Sequence, residues 1–260
     1  MSPRAFLRAG AILALLAAAA PAAADPPGAA ARYYAAGDFM AAADAAEAQN
    51  SPSSLAFAAR ALMAECLTST DRRNVDELIT RAERAAREAL ELDAESVDAR
   101  LQLALALGAR GRRSSLSDAI RHGYANQGRR LIQEALDRAP DEPWAHALMG
   151  GWHLEVLRRG GRAGAVAYGA RLNTGIAEFE RARALAPDDP LIALQYAVAL
   201  IELDSDLYAA QAADLLQASA SARPRDAFEA HAVRQANRLA GVLERDGPAA
   251  VDRAVRIAFL

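Results

Sequence analysis

The stretch Glu134-Ala135-Leu136-Asp137-Arg138-Ala139-Pro140-Asp141-Glu142-Pro143-Trp144-Ala145-His146 decides the fold. Its first residues close an amphipathic helix, and Pro140 stops that helix because a proline nitrogen has no hydrogen to give the ladder. Two acids follow, and Pro143 then opens a second helix, at a position where the missing N–H had no partner anyway. The same arrangement recurs on both sides. Glu88-Ala89-Leu90-Glu91-Leu92-Asp93-Ala94 leads to a helix start at Val97, and Arg181-Ala182-Arg183-Ala184-Leu185-Ala186-Pro187 leads to one at Pro190. With Ala94, Pro140 and Pro187 superposed, the three segments align without gaps. A repeated helix pair buries its apolar face only against its neighbours, so the expected fold is all-α, a solenoid of stacked antiparallel helix pairs.

Composition agrees. Of 260 residues 69 are Ala, while aromatics are 5%. Ala has the best helix propensity, whereas strands want the β-branched and aromatic residues that are scarce here. All 30 basic residues are Arg, a bias that a GC-rich genome explains without selection for guanidinium contacts. A net charge of −3 argues against general nucleic-acid binding. The single cysteine, Cys66, sits in a helical pattern and reads as a small core residue.

At the N-terminus, Arg4 and Arg8 precede an apolar run from Ala9 to Ala20, followed by Pro21 and Ala22-Ala23-Ala24. This reads as a secretory signal peptide, residues 1–24, cleaved after Ala24. The run is shorter than the roughly 20 residues a membrane-spanning helix needs. In a bacterial cell the mature chain, 25–260, is then a single periplasmic or secreted domain without a transmembrane helix.

These residues resemble the tetratricopeptide repeat, a helix-turn-helix unit that stacks into a right-handed solenoid. In its second helix a small, a bulky and a small residue recur before a terminal proline, as in Gly128, Ile132, Ala135, Pro140 and in Gly175, Phe179, Ala182, Pro187. Upstream, Ala82, Ala86, Ala89 and Ala94 depart from the pattern. In the first helix a large residue precedes a small one, as in Leu103-Ala104, Met149-Gly150 and Tyr196-Ala197. Gly37-Asp38-Phe39 marks another pair from about Arg32 to Asn50, and a C-terminal pair from Asp226 to Gly247 and Ala249 to Phe259 caps the stack. Between residues 144 and 187 the chain also resembles the regulator of microtubule dynamics family, whose Leu-Gly-x-Trp word and expanded loop are matched around Leu148-Met149-Gly150-Gly151-Trp152. A secreted bacterial relative would not meet microtubules, so that resemblance implies only the body and the loop.

Repeats of that superfamily run about 34 residues. Here the anchors at 94, 140 and 187 stand 46 and 47 apart. Two insertions therefore fall between the helices of a pair, near 109–125 and 158–172, on one edge of the solenoid. The second, with Gly160, Gly161, Gly164 and Gly169, reads as a loop or a short helix between flexible joints.

No residue pattern supplies chemistry. His146 and His153, seven residues apart, are separated by about 10.5 Å along a helix, too far for one metal ion. No nucleophile elbow, phosphate loop or cysteine pair occurs, so no metal, cofactor or catalytic residue is assigned. The expected role is a non-catalytic scaffold or adaptor, the alternative being an enzyme whose site is assembled from dispersed residues. Two binding surfaces are candidates. By the resemblance, Leu101, Leu105, Trp144, Ala147, Leu154, Leu191, Leu194, Val198 and Ile201 line an apolar concave groove, which either takes a protein or peptide segment or is filled by the chain itself. Arg112, Arg113, Arg121, Arg158, Arg159 and Arg162, with Arg110, Arg129, Arg130 and Arg171 around them, form a basic insertion edge. That edge either binds an anionic envelope ligand or is merely solvated.

Overall fold

A computed structural model describes residues 28–69, 71 and 73–259. The signal peptide expected at residues 1–24 and its cleavage site lie outside the described residues. Every described element is a helix: α1 (Gly28–Ala36), α2 (Phe39–Glu47), α3 (Pro52–Thr68), α4 (Val75–Leu92), α5 (Val97–Arg113), α6 (Leu116–Arg121), α7 (Tyr124–Arg138), α8 (Pro143–Tyr168), α9 (Leu172–Leu185), α10 (Pro190–Asp204), α11 (Ala209–Ser221), α12 (Ala227–Asp246) and α13 (Pro248–Phe259). They pack in consecutive pairs as an α-solenoid. Val97, Pro143 and Pro190, the three expected starts, are the first residues of α5, α8 and α10.

The acids and serine after each stop are N-caps. Ser96 accepts from the Ala99 amide, Glu142 from Trp144, and Asp189 from both Leu191 and Ile192. Each satisfies donors that the first turn of a helix leaves open. The upstream turn lacks a proline, and the buried Arg100 guanidinium holds it instead, bonding to the Ala94 and Ser96 carbonyls and to Glu134 at 3.2 Å.

Small residues set how closely the helices approach. Against α8, a Cβ on Gly150 would lie 2.6 Å from Cδ2 of Phe179, and one on Gly175 would lie 2.9 Å from Cδ2 of Leu154. Phe179 in turn stacks on Tyr196 of α10 at 4.6 Å between ring centroids, linking two pairs. Gly128, read as equivalent to Gly175, is buried in α7, yet a Cβ there would meet nothing within 4 Å. Cys66 is buried in the core beside the Val75 carbonyl.

Both insertions are helical. The first lengthens α5 and adds α6. The second is not a loop: α8 continues to Tyr168, broken only at Gly161 (φ 53°, ψ −148°). Ala163, Ala165 and Ala167 favour the helix, while Gly161 at the break and Gly169 at the helix end take positive φ that other residues avoid. The insertions also hold each other. Arg159 donates to the Gly111 and Ser114 carbonyls at the end of α5, and Trp152 Nε1 donates to the Ala125 carbonyl at 2.8 Å.

The C-terminal pair does more than cap the stack. The inner helices α3, α5, α8, α10 and α12 succeed one another, and α12 then returns against α1 and α3. Phe228 meets Phe39 edge-on at 6.1 Å, and the Cβ of Ala227 stands where a side chain on Gly37 would be 3.1 Å away. The solenoid closes on its own beginning.

Candidate functional site

Closure removes the open apolar groove. Leu101, Ala147, Leu154, Leu194, Val198 and Ile201 are all buried, while Leu105, Trp144 and Leu191 are half-buried. Leu194, Val198 and Ile201 share a core cluster with Ala236, Leu239, Val251 and Val255 from α12 and α13. Ala147 and Leu154 belong to the same cluster, and Leu154 faces Gly175 of α9. Leu101 packs with Ala135 and Ala145, with Trp144 and Leu148 beside them. The expected lining is therefore core, because a stack that bends back on itself brings its last pair against the face an open stack would expose.

What the inner helix starts retain is polar. Arg60 of α3 pairs with Asp98 of α5 at 2.7 Å, and Gln102 donates to the same carboxylate at 3.1 Å. The buried Gln102 Oε1 has no partner. Burial, then the nearby Asp98, pushes the Glu142 carboxyl up, against the hydrogen bond from Trp144. Burial likewise raises Asp189 and Asp226.

The basic edge is not an open field of guanidinium groups. Arg112 bonds to Glu202 at 2.8 Å and Glu155 at 3.3 Å, and Arg158 binds Glu155 at 2.8 Å. Arg113 pairs with Asp76 at 2.5 Å, Arg121 with Asp118, and Arg110 with Glu83 at 2.9 Å. Arg159 is taken up by backbone carbonyls, while Arg162 is exposed with no carboxylate partner. Apart from Asp118, which is local to α6, the acids come from α4, α8 and α10, helices whose proximity is invisible in the linear order. The edge does expose apolar side chains. Leu116 and Ile120 of α6 are 48% and 55% exposed, and Val166 of distal α8 is 86% exposed.

Two clefts open on the outer face. The larger, about 670 Å³ between α4 and α7, is lined by charges that answer one another, as in Arg87–Glu83 at 2.8 Å. The smaller, about 340 Å³, lies between α7 and the start of α9, over α8, and is lined by Arg129, Gln133, Met149, His153, Gly169, Arg171, Thr174 and Glu178. His153 is 5% exposed, and its Nδ1 accepts the Arg171 amide at 3.2 Å. Burial first, then Arg129, holds its pKa below the ordinary histidine value. Arg129 lies 5.1 Å over the Trp152 ring and donates to the Tyr168 carbonyl at 3.0 Å. His146 stands apart from His153, between Glu178 at 2.6 Å and the Pro140 carbonyl at 2.8 Å. The sequence reading puts Arg129 and Arg171 on the edge, rejects His153 as a metal ligand and reads Glu178 as a carboxylate on a solvated helix face; Gln133 and Thr174 escape it. The legible clue was that Arg171, where α9 begins, is no capping residue.

Among the described residues no three His, Cys, Asp or Glu side chains gather as a metal site, and no helix is long and apolar enough to cross a membrane. No curated protein matches the chain. Residues 33–243, from α1 into α12, match the family described as Regulator of microtubule dynamics protein 1-3, and the chain belongs to that family.

Proposed function

We propose that this protein is a non-catalytic scaffold or adaptor, exported by the leader at residues 1–24, that holds a protein partner against its insertion edge. The likeness to tetratricopeptide repeats supports a binding body. One observation carries the reading. Of the six exposed large hydrophobics among the described residues, Leu116, Ile120, Val166 and Leu207 all lie where the first helix of a pair gives way to the second, the edge opposite the turns at Ala94, Pro140 and Pro187. Exposed apolar groups gathered on one side of a folded body mark interaction surfaces, and α8 is tied to the end of α5 and to α7 by the Arg159 and Trp152 hydrogen bonds. Arg121 and Arg162 beside them suit a partner whose apolar residues are flanked by carboxylates.

A photo-crosslinking residue at Ile120 or Val166 in cells is expected to give one discrete adduct. The same residue at Leu92, exposed at the opposite edge, should give none, and polar substitution of Leu116 and Leu207 should remove the adduct. Equal labelling at Leu92, or no adduct at the edge, overturns the reading.

A further inference from the structure

We propose that the cleft between α7 and the start of α9 is a site for a tetrahedral oxyanion, a phosphate group, received by His153, Arg129, Arg171, Thr174 and the first turn of α9. The site takes Gly169 and Arg171 from the end of the second insertion but none of the exposed apolar residues of the edge, and it stands whether or not the adaptor reading does.

Four observations converge. The first is the histidine. His153 is nine-tenths buried or more, and its Nδ1 is occupied as an acceptor by the Arg171 amide. A neutral imidazole that accepts at one nitrogen carries its proton on the other. Nε2–H is therefore a donor, no hydrogen-bond partner for it occurs among the described residues, and the residue lines the cleft.

The second is the helix start. α9 begins at Leu172 with Arg171 before it and no side-chain cap, a feature it shares with α4, α7 and α11; at α9 the uncapped turn also lies at the cleft. Its opening amides have no acceptor of their own and point with the positive end of the helix dipole. Thr174, within that turn, adds a hydroxyl to the cleft wall.

The third is charge. Arg110, Arg112, Arg113, Arg121, Arg130 and Arg158 are each engaged by a carboxylate. Arg129 and Arg171, which line this cleft, have none among the described residues. Glu178 also lines the cleft, on the opposite wall, and is engaged there by a ring nitrogen of His146 at 2.6 Å.

The fourth is origin. The donors come from three elements, α7, α8 and α9, so that an anion with several oxygens can be met by more than one of them. At about 340 Å³ the cleft has room for a phosphate and a small group attached to it.

The test is a titration of the folded chain with inorganic phosphate at a fixed ionic strength of about 0.15 M. It is followed by the His153 ring and Thr174 amide resonances and by Trp152 fluorescence. Saturable shifts at these groups are expected, and Arg171→Met and Thr174→Val, both on the cleft wall, should each weaken binding by about tenfold or less while leaving the melting temperature in place. Acetate at the same ionic strength should shift nothing. A parallel titration with ribose 5-phosphate separates the sources: tighter binding than inorganic phosphate assigns the site to a phosphate ester, equal or weaker binding to the free ion. Shifts that follow ionic strength alone, that acetate reproduces, or that survive both substitutions overturn the proposal.

Discussion

A Cβ placed on Gly150 would stand 2.9 Å from the carbonyl oxygen of Gly175, so α8 and α9 cross with backbone almost on backbone. Neither glycine has left-handed backbone, and the reason for both is space. Gly150→Ala should therefore destabilise the protein by roughly 1 to 3 kcal/mol through overpacking, although Ala is about 1 kcal/mol better than Gly in a helix. Gly128→Ala is the opposite case, because a Cβ there meets nothing within 4 Å. It should stabilise by about 0.5 to 1 kcal/mol. Thermal and urea unfolding of the two variants should give shifts of opposite sign, and equal signs would refute the packing described for α7 and α8.

Closure of the ring rests on α12 meeting α1 and α3. Phe228→Ala removes the ring that meets Phe39 edge-on. Phe228 is half-buried, so the expected cost is about 1 to 3 kcal/mol, below that of a fully buried Phe. Hydrogen exchange should quicken in α1 and α12 while α8 and α9 stay protected. Uniform loss of protection would mean that the ends are not a separate contact.

Arginines on the insertion edge should differ sharply in what they contribute. Glu202 has only 4% of its side chain exposed and is partnered by Arg112. Arg112→Ser leaves that carboxylate buried and uncompensated, with an expected loss of about 3 kcal/mol. Arg121, 70% exposed on a 43% exposed Asp118, should cost under about 1 kcal/mol when replaced by Ser. Chemical denaturation of the two single variants checks this; comparable losses would show that burial of Glu202 is not what matters.

In the folded chain Glu142 keeps its proton to higher pH than in the unfolded chain, since burial and Asp98 outweigh the Trp144 hydrogen bond. Between the ordinary glutamate pKa and that raised value the native state binds more protons, so the contribution of Glu142 to stability falls as pH rises through the window. Glu142→Gln keeps an oxygen for the Trp144 amide and has nothing to titrate. Its stability relative to the parent should therefore increase from acidic to neutral pH, as read from urea midpoints across that range. A pH-independent difference would count against a shielded carboxyl.

Local chemistry determined the helices. Pro140, Pro187, the caps Ser96, Glu142 and Asp189, and the prolines opening α8 and α10 act within a few residues of themselves, so they are legible in the linear order and mark the observed helix starts. The Ala-rich composition settled the class for the same reason, since helix propensity belongs to each residue. Tertiary structure decided everything that depends on which helices become neighbours. Arg112 and Glu202 are 90 residues apart in the chain and 2.8 Å apart in the fold. The curvature that brings α12 back to α1 accumulates over all the pairs, each adding a small rotation that no single motif encodes. That curvature turned the expected groove residues Leu194 and Val198 into core. It also left Arg129, His153 and Arg171, from three different helices, facing one cleft.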